Sequence, residues 1–275
     1  MNEHVLDLVK KCNNERDIIE AVAADSDPEV LYMLSPVAAN LLEWYDFDPK
    51  GTALELSAGC GTITGMLCRR LAAVTAVEAD DLSYEANAYR NRAYKNLTLV
   101  RDDAGSYDTD ETFDYLVMVG ILPYAKSCDD SAGAMLSRVR KFLKPGGKLF
   151  IALPNKYGLK YFAGANEDYS HEPYGGFAEK PAGGEVELFS RKQLIDMLDA
   201  AGYKKAEFYY PVPDYRLPLE IYSSKRLPGP GDLGTVAADY YNDRLVTLDE
   251  PTVYDSICRD GLYEDFANSF LIVAE

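Results

Sequence analysis

Short apolar runs and helical patterns alternate along the chain from residue 52 onward. Strand-like runs occupy 52–57, 74–79, 97–102, 113–120, 148–155, 204–212 and 268–275, with helical patterns at 62–73, 80–94, 131–143 and 190–202. The runs are almost continuously apolar, which is typical of strands whose two sheet faces are both covered. Strand followed by helix, repeated, predicts an α/β fold, a Rossmann-like, doubly wound and mostly parallel sheet of seven strands.

Three segments depart from this alternation. Residues 1–50 read as helices and are too few for a core of their own, so we predict a helical N-terminal cap on a domain of residues 51–275. Residues 155–188 are rich in Gly and Tyr and lack a period, and residues 213–265 are irregular. Long loops in compact domains are usually functional, so both segments are predicted to be lid insertions.

Charge and cysteine content limit the partners and the compartment. Lys and Arg total 28 against 45 Asp and Glu, a net charge of −17, which disfavours nucleic acid and acidic membrane surfaces as partners. The 5 cysteines form no CxxC pair, so a disulfide framework is not expected and the cytoplasm is the predicted compartment. The first residues are too charged for a signal peptide, and neither a membrane-spanning run nor metal-ligand spacing is present in the sequence.

The stretch "LELSAGCGTITG", residues 54–65, is the strongest candidate for a binding site. Gly59 and Gly61 follow the first predicted strand and precede a helix, so the backbone can turn tightly and leave N–H groups free at the helix N-terminus. Such a terminus favours a carboxylate or a phosphate. In a doubly wound sheet, ligands bind beyond the carboxyl ends of the strands.

Two carboxylates extend this pocket. Glu78 ends the second predicted strand and can accept hydrogen bonds from ribose hydroxyls, and Asp103 follows the third and can accept one from an adenine amino group. Thr64 stands where a dinucleotide fingerprint has its third small residue, and Glu55 can accept the ammonium of S-adenosylmethionine. The pattern therefore favours S-adenosylmethionine, with a nicotinamide-dependent sugar-modifying enzyme as the alternative.

The motifs "LELSAGCGTITG", "VEA", "RDDA", "FDYLVMVGILPYA" and "FLKPGGKLFIALPN" resemble, in order, those of class I S-adenosylmethionine-dependent methyltransferases. The resemblance implies a methyltransferase fold and activity over roughly residues 30–275. It places the methionine moiety at the turn, the ribose on Glu78 and the adenine near Asp103. The implied cofactor-binding residues are Glu55, Ser57, Ala58, Gly59, Gly61, Glu78, Asp103, Ala104, Val119 and Gly120.

Three longer segments, 34–47, 155–169 and 209–228, look like bacterial methyltransferases found alongside, or fused to, glycosyltransferases of cell-surface polysaccharide synthesis. This narrower resemblance implies O-methylation of a sugar or polysaccharide precursor, with a glycosyltransferase as the protein partner. Ser57, Pro123 and Tyr169 depart from the family, which usually has Gly, Glu and His there. These departures leave open a non-catalytic methyltransferase-fold partner of a glycosyltransferase.

Candidate catalytic residues are Asn155, Asp168 and His171. Asn155 lies at a strand tip, where it orients the acceptor or caps a turn. Asp168 and His171 belong to an acid–base cluster in the first insertion; the resemblance favours Asp168, while the reference pKa of histidine suits a base near neutrality. Tyrosine faces suit sugar C–H surfaces or ordinary packing. The candidate acceptor-binding residues are Tyr157, Tyr161, Glu167 and Tyr215.

Overall fold

The structure, a computed structural model, describes residues 1–128, 131–177, 186–234 and 245–275. The chain divides into two compact units, the first made of residues 1–121 and 141–150 and the second of residues 122–140 and 151–275. Within the described ranges, no helix is long and apolar enough to cross a bilayer.

Within those ranges the sheet has 8 strands, mostly parallel with an antiparallel edge, in the order β3-β2-β1-β4-β5-β8-β6-β7. The prediction of seven strands was wrong by one, because the four-residue β7 lies in the irregular segment after residue 213 and carries no extended apolar run. The strands are β1 Thr52–Leu56, β2 Ala73–Glu78, β3 Leu97–Arg101, β4 Phe113–Val119, β5 Leu143–Pro154, β6 Ala206–Val212, β7 Glu220–Ser223 and β8 Ser269–Ala274.

The first unit contains the parallel part that was predicted, with β2 and β4 flanking β1 and β3 flanking β2. Leu56 of β1 is in register with Val77 of β2 and Met118 of β4, so the carboxyl ends of these strands lie side by side. Its helices are α1 Glu3–Lys11, α2 Glu15–Ala24, α3 Pro28–Leu34, α4 Asn40–Glu43, α5 Thr62–Arg70 and α6 Asp81–Arg90.

Polar caps fix where these helices begin. Asn2, Asn14 and Asp27 cap α1, α2 and α3 through side-chain oxygens, and Pro28 follows Asp27 as the first residue of α3. Asp80 caps α6 in the same way. Residues 1–50 belong to the same compact unit as β1–β4, and the boundary of the helical cap at residue 50 stays a prediction.

The start of β5 differs from the sequence-based expectation. The helix predicted for 131–143 ends as α7, Ala132–Val139, and "KPGG" belongs to the strand instead of terminating the helix. A Cβ at Gly147 would stand 3.1 Å from the carbonyl oxygens of Phe113 and Asp114, a tight contact that glycine avoids where this strand passes the start of β4.

The second unit contains the antiparallel edge, because β6 pairs antiparallel with both β7 and β8. Ser190 and Gln193 form a capping box at the start of α9. Residues 178–185 and 235–244 of the two predicted insertions lie outside the described residues. The remaining helices are α8 Leu159–Phe162, α9 Arg191–Ala200, α10 Glu250–Arg259 and α11 Tyr263–Phe266.

Candidate functional site

The turn between β1 and α5 has three residues in the left-handed region. The φ angles are 61° at Ser57, 52° at Gly59 and 83° at Gly61. Ala58, between the first two, donates its N–H to the carbonyl oxygen of Val77 over 3.0 Å. Ser57 is not a glycine, and its left-handed conformation costs about 1–2 kcal/mol. Ser57 thus has a backbone conformation that glycine adopts without strain.

The two glycines of the turn lack a side chain for different reasons. A Cβ at Gly59 would have no heavy atom within 4 Å, so this position faces open space. A Cβ at Gly61 would stand 2.4 Å from Asn87 Oδ1 and 2.4 Å from Asn91 Nδ2. Gly61 is thus required by the protein's own packing, whereas the bare backbone at Gly59 is available to a ligand.

A buried polar chain lies beneath the turn. Asn91 Nδ2 donates to the Gly61 carbonyl at 2.9 Å and to Asn87 Oδ1 at 2.8 Å. Asn87 Nδ2 donates to Thr64 Oγ1 at 3.0 Å, and the Thr64 hydroxyl donates to Glu55 Oε2 at 2.6 Å. From Asn91 through Asn87 and Thr64, each residue donates to the next one toward Glu55, so this chain is polarised toward that carboxyl group.

Glu55 is 3% exposed. Burial raises the pKa of this carboxyl group to about 8, the hydrogen bond from Thr64 opposes that rise, and the charge of Glu78 adds to it. A cationic ligand next to Glu55 would reverse the shift, because an opposite charge favours the ionised form. The predicted role of Glu55 as the acceptor of an ammonium group stays a prediction.

Glu78 connects the turn to the next strand. Its Oε2 accepts the N–H of Gly59 at 2.7 Å and its Oε1 accepts the N–H of Asp80 at 2.9 Å. Each carboxylate oxygen has a second lone pair that a ligand hydroxyl can occupy. Glu78 is 7% exposed, so such a ligand would meet an oriented carboxylate with limited access to water.

The other predicted cofactor residues lie at the ends of β3 and β4. Asp103 is exposed, two residues beyond β3, and its Oδ1 accepts the N–H of Gly105 at 2.7 Å; Ala104 is buried. Val119 and Gly120 follow Met118, the register partner of Leu56, and Gly120 has a φ of 73°. All ten predicted cofactor residues therefore belong to the first unit, at carboxyl ends of neighbouring strands.

Arg90, which sequence reasoning missed, ties the N-terminal helices to this turn. Its side chain is 2% exposed, and its Nε donates to Glu15 Oε2 at 3.2 Å. Other N–H groups of the guanidinium donate to Thr62 Oγ1 at 2.5 Å and to the Leu34 carbonyl at 3.3 Å. Thr64, Asn87 and Asn91 were missed too, although the spacing of four between the two asparagines indicates a shared helix face.

The catalytic and acceptor residues predicted from sequence all lie in the second unit. Asn155 is fully buried, and its Nδ2 donates to the carbonyls of Asp265 at 2.7 Å and Ala267 at 2.8 Å. Its Oδ1 accepts the N–H of Tyr157 at 3.0 Å. Both donors and the acceptor of the amide are engaged, so this geometry favours the turn-capping role over orientation of an acceptor.

Asp168 belongs to a buried ion cluster with Lys160, Asp214 and Arg216. Lys160 Nζ lies 2.8 Å from Asp168 Oδ2 and 3.3 Å from Asp214 Oδ2, and Arg216 Nη2 lies 3.0 Å from a carboxylate oxygen of each. Tyr161 donates its hydroxyl to Asp168 Oδ2 at 2.6 Å. The two cations alternate with the two carboxylates, so the four charges compensate one another.

This cluster makes Asp168 a weak base. Burial alone would raise the pKa of Asp168, but the charges of Lys160 and Arg216 outweigh it and hold that pKa below its usual range. The same two cations lower the pKa of Asp214 against the effect of burial. The geometry therefore favours a structural role for Asp168, and its catalytic assignment stays a prediction. Lys160 is fully buried within this cluster.

The remaining predicted residues differ in exposure. Glu167 is 3% exposed and accepts the N–H groups of Tyr169 at 3.1 Å and Ser170 at 2.7 Å. His171 is exposed, with a φ of 56°. Tyr161 and Tyr215 are buried, which favours packing over a sugar contact, whereas Tyr157 is 42% exposed. Its ring lies 5.7 Å from that of Phe177. Of the three tyrosines predicted to bind the acceptor, Tyr157 is therefore the one with an accessible ring.

Known proteins have sequences similar to the part of the chain that contains the glycine turn. Residues 54–149, which contain the glycine turn, match the family model described as a methyltransferase domain. This segment is therefore similar in sequence to a methyltransferase domain. The chain is also 31% identical over 157 residues to a phosphoethanolamine N-methyltransferase of Triticum aestivum, which covers 54% of this chain and 28% of the wheat protein. The chain thus spans less than a third of that curated relative.

Solved structures agree with the methyltransferase fold. An S-adenosylmethionine-dependent methyltransferase from Thermotoga maritima superposes with a TM-score of 0.53 at 14% identity, over 94% of this chain and 97% of that one. A methyltransferase from Archaeoglobus fulgidus gives a TM-score of 0.54 at 13% identity, over 90% and 96% of the two chains. At these identities the likeness shows the fold alone.

The residues of the matched segment fit S-adenosylmethionine as a cofactor. The open space at Gly59, the N-terminus of α5, the buried carboxyl group of Glu55 and the oriented carboxylate of Glu78 provide groups for a carboxylate, an ammonium and two hydroxyls. Among the residues that the structure describes, no three His, Cys, Asp or Glu side chains are grouped to hold a metal ion.

Proposed function

We propose that the protein transfers the methyl group of S-adenosylmethionine to a small polar acceptor. The observation that carries this proposal is the turn at residues 57–61, where Gly59 faces open space and donates its N–H to Glu78 at 2.7 Å. The family match over residues 54–149 supports it. The cofactor would supply a methyl group bound to a sulfonium, and the protein's task would be binding and alignment.

Each predicted cofactor residue has a role in this proposal. Backbone N–H groups at the start of α5 would bind the methionine carboxylate, and Glu55 would bind its ammonium. Glu78 would bind both ribose hydroxyls, and Asp103 the adenine amino group. Val119 and Gly120 would border the cofactor beside them. Alignment of the sulfonium with the acceptor can contribute about 7–11 kcal/mol at best, so methyl transfer does not require a strong base.

Calorimetric titration with S-adenosylhomocysteine tests the cofactor part. We expect one binding site per chain, and a chain that is folded by circular dichroism yet binds no S-adenosylhomocysteine would remove the proposal. Titration with NAD(H) in the same buffer serves as the control, since binding of the dinucleotide in place of the homocysteine compound would favour the nicotinamide-dependent alternative.

For the acceptor we propose a hydroxyl of a sugar or a cell-surface polysaccharide precursor. The resemblance of segments 34–47, 155–169 and 209–228 to methyltransferases associated with glycosyltransferases supports this choice. The exposed rings of Tyr157 and Tyr174, which are 42% and 47% exposed and pack with Phe177, are suitable surfaces for sugar C–H groups. His171, whose side chain is exposed, would be the base within reach of solvent in this unit.

The second candidate is N-methylation of a small amine, which the identity to the wheat phosphoethanolamine N-methyltransferase supports. Mass spectrometry of reactions with deuterated S-adenosylmethionine separates the two, using one panel of nucleotide sugars and oligosaccharides and one of phosphorylated amines. Cofactor binding without a labelled product in either panel would favour a non-catalytic partner of a glycosyltransferase, which co-purification with such an enzyme would then test.

A further inference from the structure

Thr64, in the first turn of α5, has a hydroxyl group whose single proton is directed by its neighbours. The side chain is fully buried, and its Oγ1 lies 3.0 Å from Asn87 Nδ2 and 2.6 Å from Glu55 Oε2. The amide N–H₂ of Asn87 can only donate to this oxygen, so the hydroxyl proton is left for the carboxyl group of Glu55. Thr64 therefore donates to Glu55 and cannot reverse that bond while Asn87 holds this orientation.

The orientation of the Asn87 amide is set by the backbone of the glycine turn. Asn91 Nδ2 donates to the Gly61 carbonyl at 2.9 Å and to Asn87 Oδ1 at 2.8 Å. A backbone carbonyl only accepts, so it determines which end of the Asn91 amide faces it, and Asn91 in turn determines the orientation of Asn87. The carbonyl of Gly61 thus fixes, through two asparagines, the direction in which Thr64 donates.

The two asparagines fit only because the facing helix lacks side chains. A Cβ at Gly65 would stand 2.6 Å from Asn91 Oδ1, and a Cβ at Gly61 would overlap both amides. Asn87 is fully buried and Asn91 is 3% exposed. Buried amides are costly unless they are hydrogen-bonded, and here each amide has a partner. The polar chain is therefore part of the packing of α6 against α5.

Glu55 has one oxygen that the protein does not engage. Its Oε2 accepts the Thr64 hydroxyl, while Oε1 has no hydrogen-bond partner within the ranges that the structure describes. Burial raises the pKa of Glu55, whereas the hydrogen bond from Thr64 lowers it by favouring the carboxylate. A positively charged group at Oε1 would act in the same direction as Thr64 and ionise the carboxyl group.

Two titratable side chains interact electrostatically with Glu55 in the described part of the chain. The charge of Glu78, at the end of β2, raises the pKa of Glu55. Cys68 on α5 is buried, and burial raises the pKa of its thiol to about 12, so it is neutral near pH 7. The register partners of Glu55 are Ala76 and Val117, which carry no charge. A bound cation would therefore have no competing positive charge from these neighbours.

We propose that Thr64 is a positioning residue for S-adenosylmethionine: its hydroxyl, directed by Asn87, orients Glu55 so that Oε1 accepts the ammonium group of the cofactor. This inference rests on the methyl-transfer function proposed above. The ammonium requires the ionised carboxylate, so binding to the neutral acid releases one proton from Glu55 to the solvent. Without the Thr64 hydroxyl that proton is held more tightly, and cofactor binding is weaker.

The test is calorimetric titration of S-adenosylhomocysteine into the full chain between about pH 5.5 and about pH 7. Methylthioadenosine, which has the same adenosine and sulfur but no amino-acid part, is the control ligand. For the parent we expect the affinity for S-adenosylhomocysteine to rise by up to about tenfold per pH unit, because one proton leaves on binding. Methylthioadenosine has no ammonium group, so its affinity should not change with pH.

Four variants separate the hydroxyl from the packing. Thr64→Val keeps the branched shape, and we expect its affinity for S-adenosylhomocysteine at pH 7 to fall by about tenfold or more, with methylthioadenosine unaffected. Thr64→Ser should restore the affinity and the pH profile. Asn87→Asp offers the Thr64 proton a second acceptor, so it should also weaken binding. Thr98→Val, the same change at an exposed position of β3, is the matched control and should match the parent.

The pH profile of the parent needs no variant, so the test does not depend on Thr64→Val folding. Affinity for S-adenosylhomocysteine that is independent of pH would overturn the proposal. Equal losses for both ligands in Thr64→Val, or the same loss in Thr64→Ser, would overturn it too. These results leave the methyl-transfer function standing, since the cofactor still binds. A folded parent that binds neither compound at any pH would instead overturn that function and this proposal with it.

Discussion

The carboxylate of Glu78 accepts the backbone N–H of Gly59 at 2.7 Å. The side chain of Glu78 at the end of β2 therefore orients the backbone of the turn after β1. The group proposed to bind the ribose and the turn proposed to bind the methionine part are linked before the cofactor binds. A change at Glu78 should consequently affect the turn as well as the ribose contact.

We expect Glu78→Gln to weaken S-adenosylhomocysteine binding by about tenfold or more, the scale of a lost charged hydrogen bond. If the amide oxygen accepts the N–H of Gly59, the amide N–H₂ faces the N–H of Asp80, and two donors then meet. Calorimetric titration measures the effect. Glu85→Gln is the control, since Glu85 is 57% exposed and paired with Lys10, and equal losses in both variants would contradict the role of Glu78.

The two turn glycines should respond differently to alanine. Gly61→Ala should lower the free energy of unfolding by about 2–5 kcal/mol, because the new Cβ overlaps Asn87 and Asn91 at 2.4 Å and φ stays positive. Gly59→Ala should cost only the conformational part, about 1–2 kcal/mol, while its methyl group enters the space proposed for the cofactor. Urea unfolding and S-adenosylhomocysteine titration separate the two effects; a Gly59→Ala variant that unfolds more easily than Gly61→Ala would contradict this assignment.

Ser57→Gly should stabilise the fold by up to about 1 kcal/mol, because glycine adopts the φ of 61° without strain but loses more backbone entropy on folding. Ser137→Gly on the exposed face of α7 is the matched control and should destabilise by about 0.5–1 kcal/mol. Urea midpoints of the two variants are expected to move in opposite directions, and a common direction would contradict strain at Ser57.

Glu55 should make the ligand-free protein less stable as pH rises. Its folded-state pKa of about 8 lies above the unfolded value, so the folded state binds more protons and stability falls between about pH 4.3 and pH 8. Glu55→Gln should remove part of this decline, with a larger gain in the free energy of unfolding at pH 8.5 than at pH 5. Urea unfolding at the two pH values measures it. An equal effect at both would mean that the Glu55 carboxyl group is ionised throughout.

The ion cluster of the second unit should be sensitive to loss of one charge. Lys160→Met should destabilise by about 3–5 kcal/mol, since it leaves Asp168 and Asp214 buried beside a single cation. Lys192→Met, at a surface pair, should cost less than about 1 kcal/mol. A second substitution, Asp168→Asn, should restore part of the stability of Lys160→Met, and two additive losses would show that the four charges act independently.

The same cluster gives a pH dependence of the opposite sign to that of Glu55. The folded-state pKa values of Asp168 and Asp214 are lowered, so the stability they contribute is present above the unfolded value near pH 4 and is lost as pH falls below it. The parent should therefore unfold more steeply than Lys160→Met below about pH 4. Acid titration followed by tryptophan fluorescence measures this, and parallel acid transitions would contradict it.

The sheet was largely predictable because a run such as "DYLVMV" is continuously apolar and is read without knowledge of its neighbours. The strand β7 was not, since its pairing of Tyr222 with Tyr210 depends on a hairpin with β6 and not on its own four residues. Gly59 and Gly61 lie in the turn after β1, as predicted, but the sequence does not show that the two glycines have different roles. Only the positions of Asn87 and Asn91, set by packing of α6 against the turn, distinguish a glycine required by the fold from one open to a ligand.

The second unit was harder to predict because the sequence does not distinguish an ionisable residue in a catalytic site from the same residue in a buried ion pair. Asp168 lies beside an acid–base cluster in sequence, yet Lys160 and Arg216, from segments before and after it, engage both its oxygens. Asn155 lies at a strand tip, as predicted. The carbonyls of Asp265 and Ala267, which accept hydrogen bonds from its side-chain amide, are more than a hundred residues away along the chain. Such partners become known only with the tertiary structure.

Arg90 has a consequence for how this chain can be divided. Its guanidinium is 2% exposed, and the carboxylate beside it is that of Glu15, far outside the segment that matches the methyltransferase family. A fragment cut at residue 50 would keep every residue of the glycine turn, but Arg90 would lose its partner Glu15, and the apolar residues Cys60 and Ala86 would lose the N-terminal residues that pack on them. The segment that matches the family model is therefore shorter than the segment needed for a stable fold.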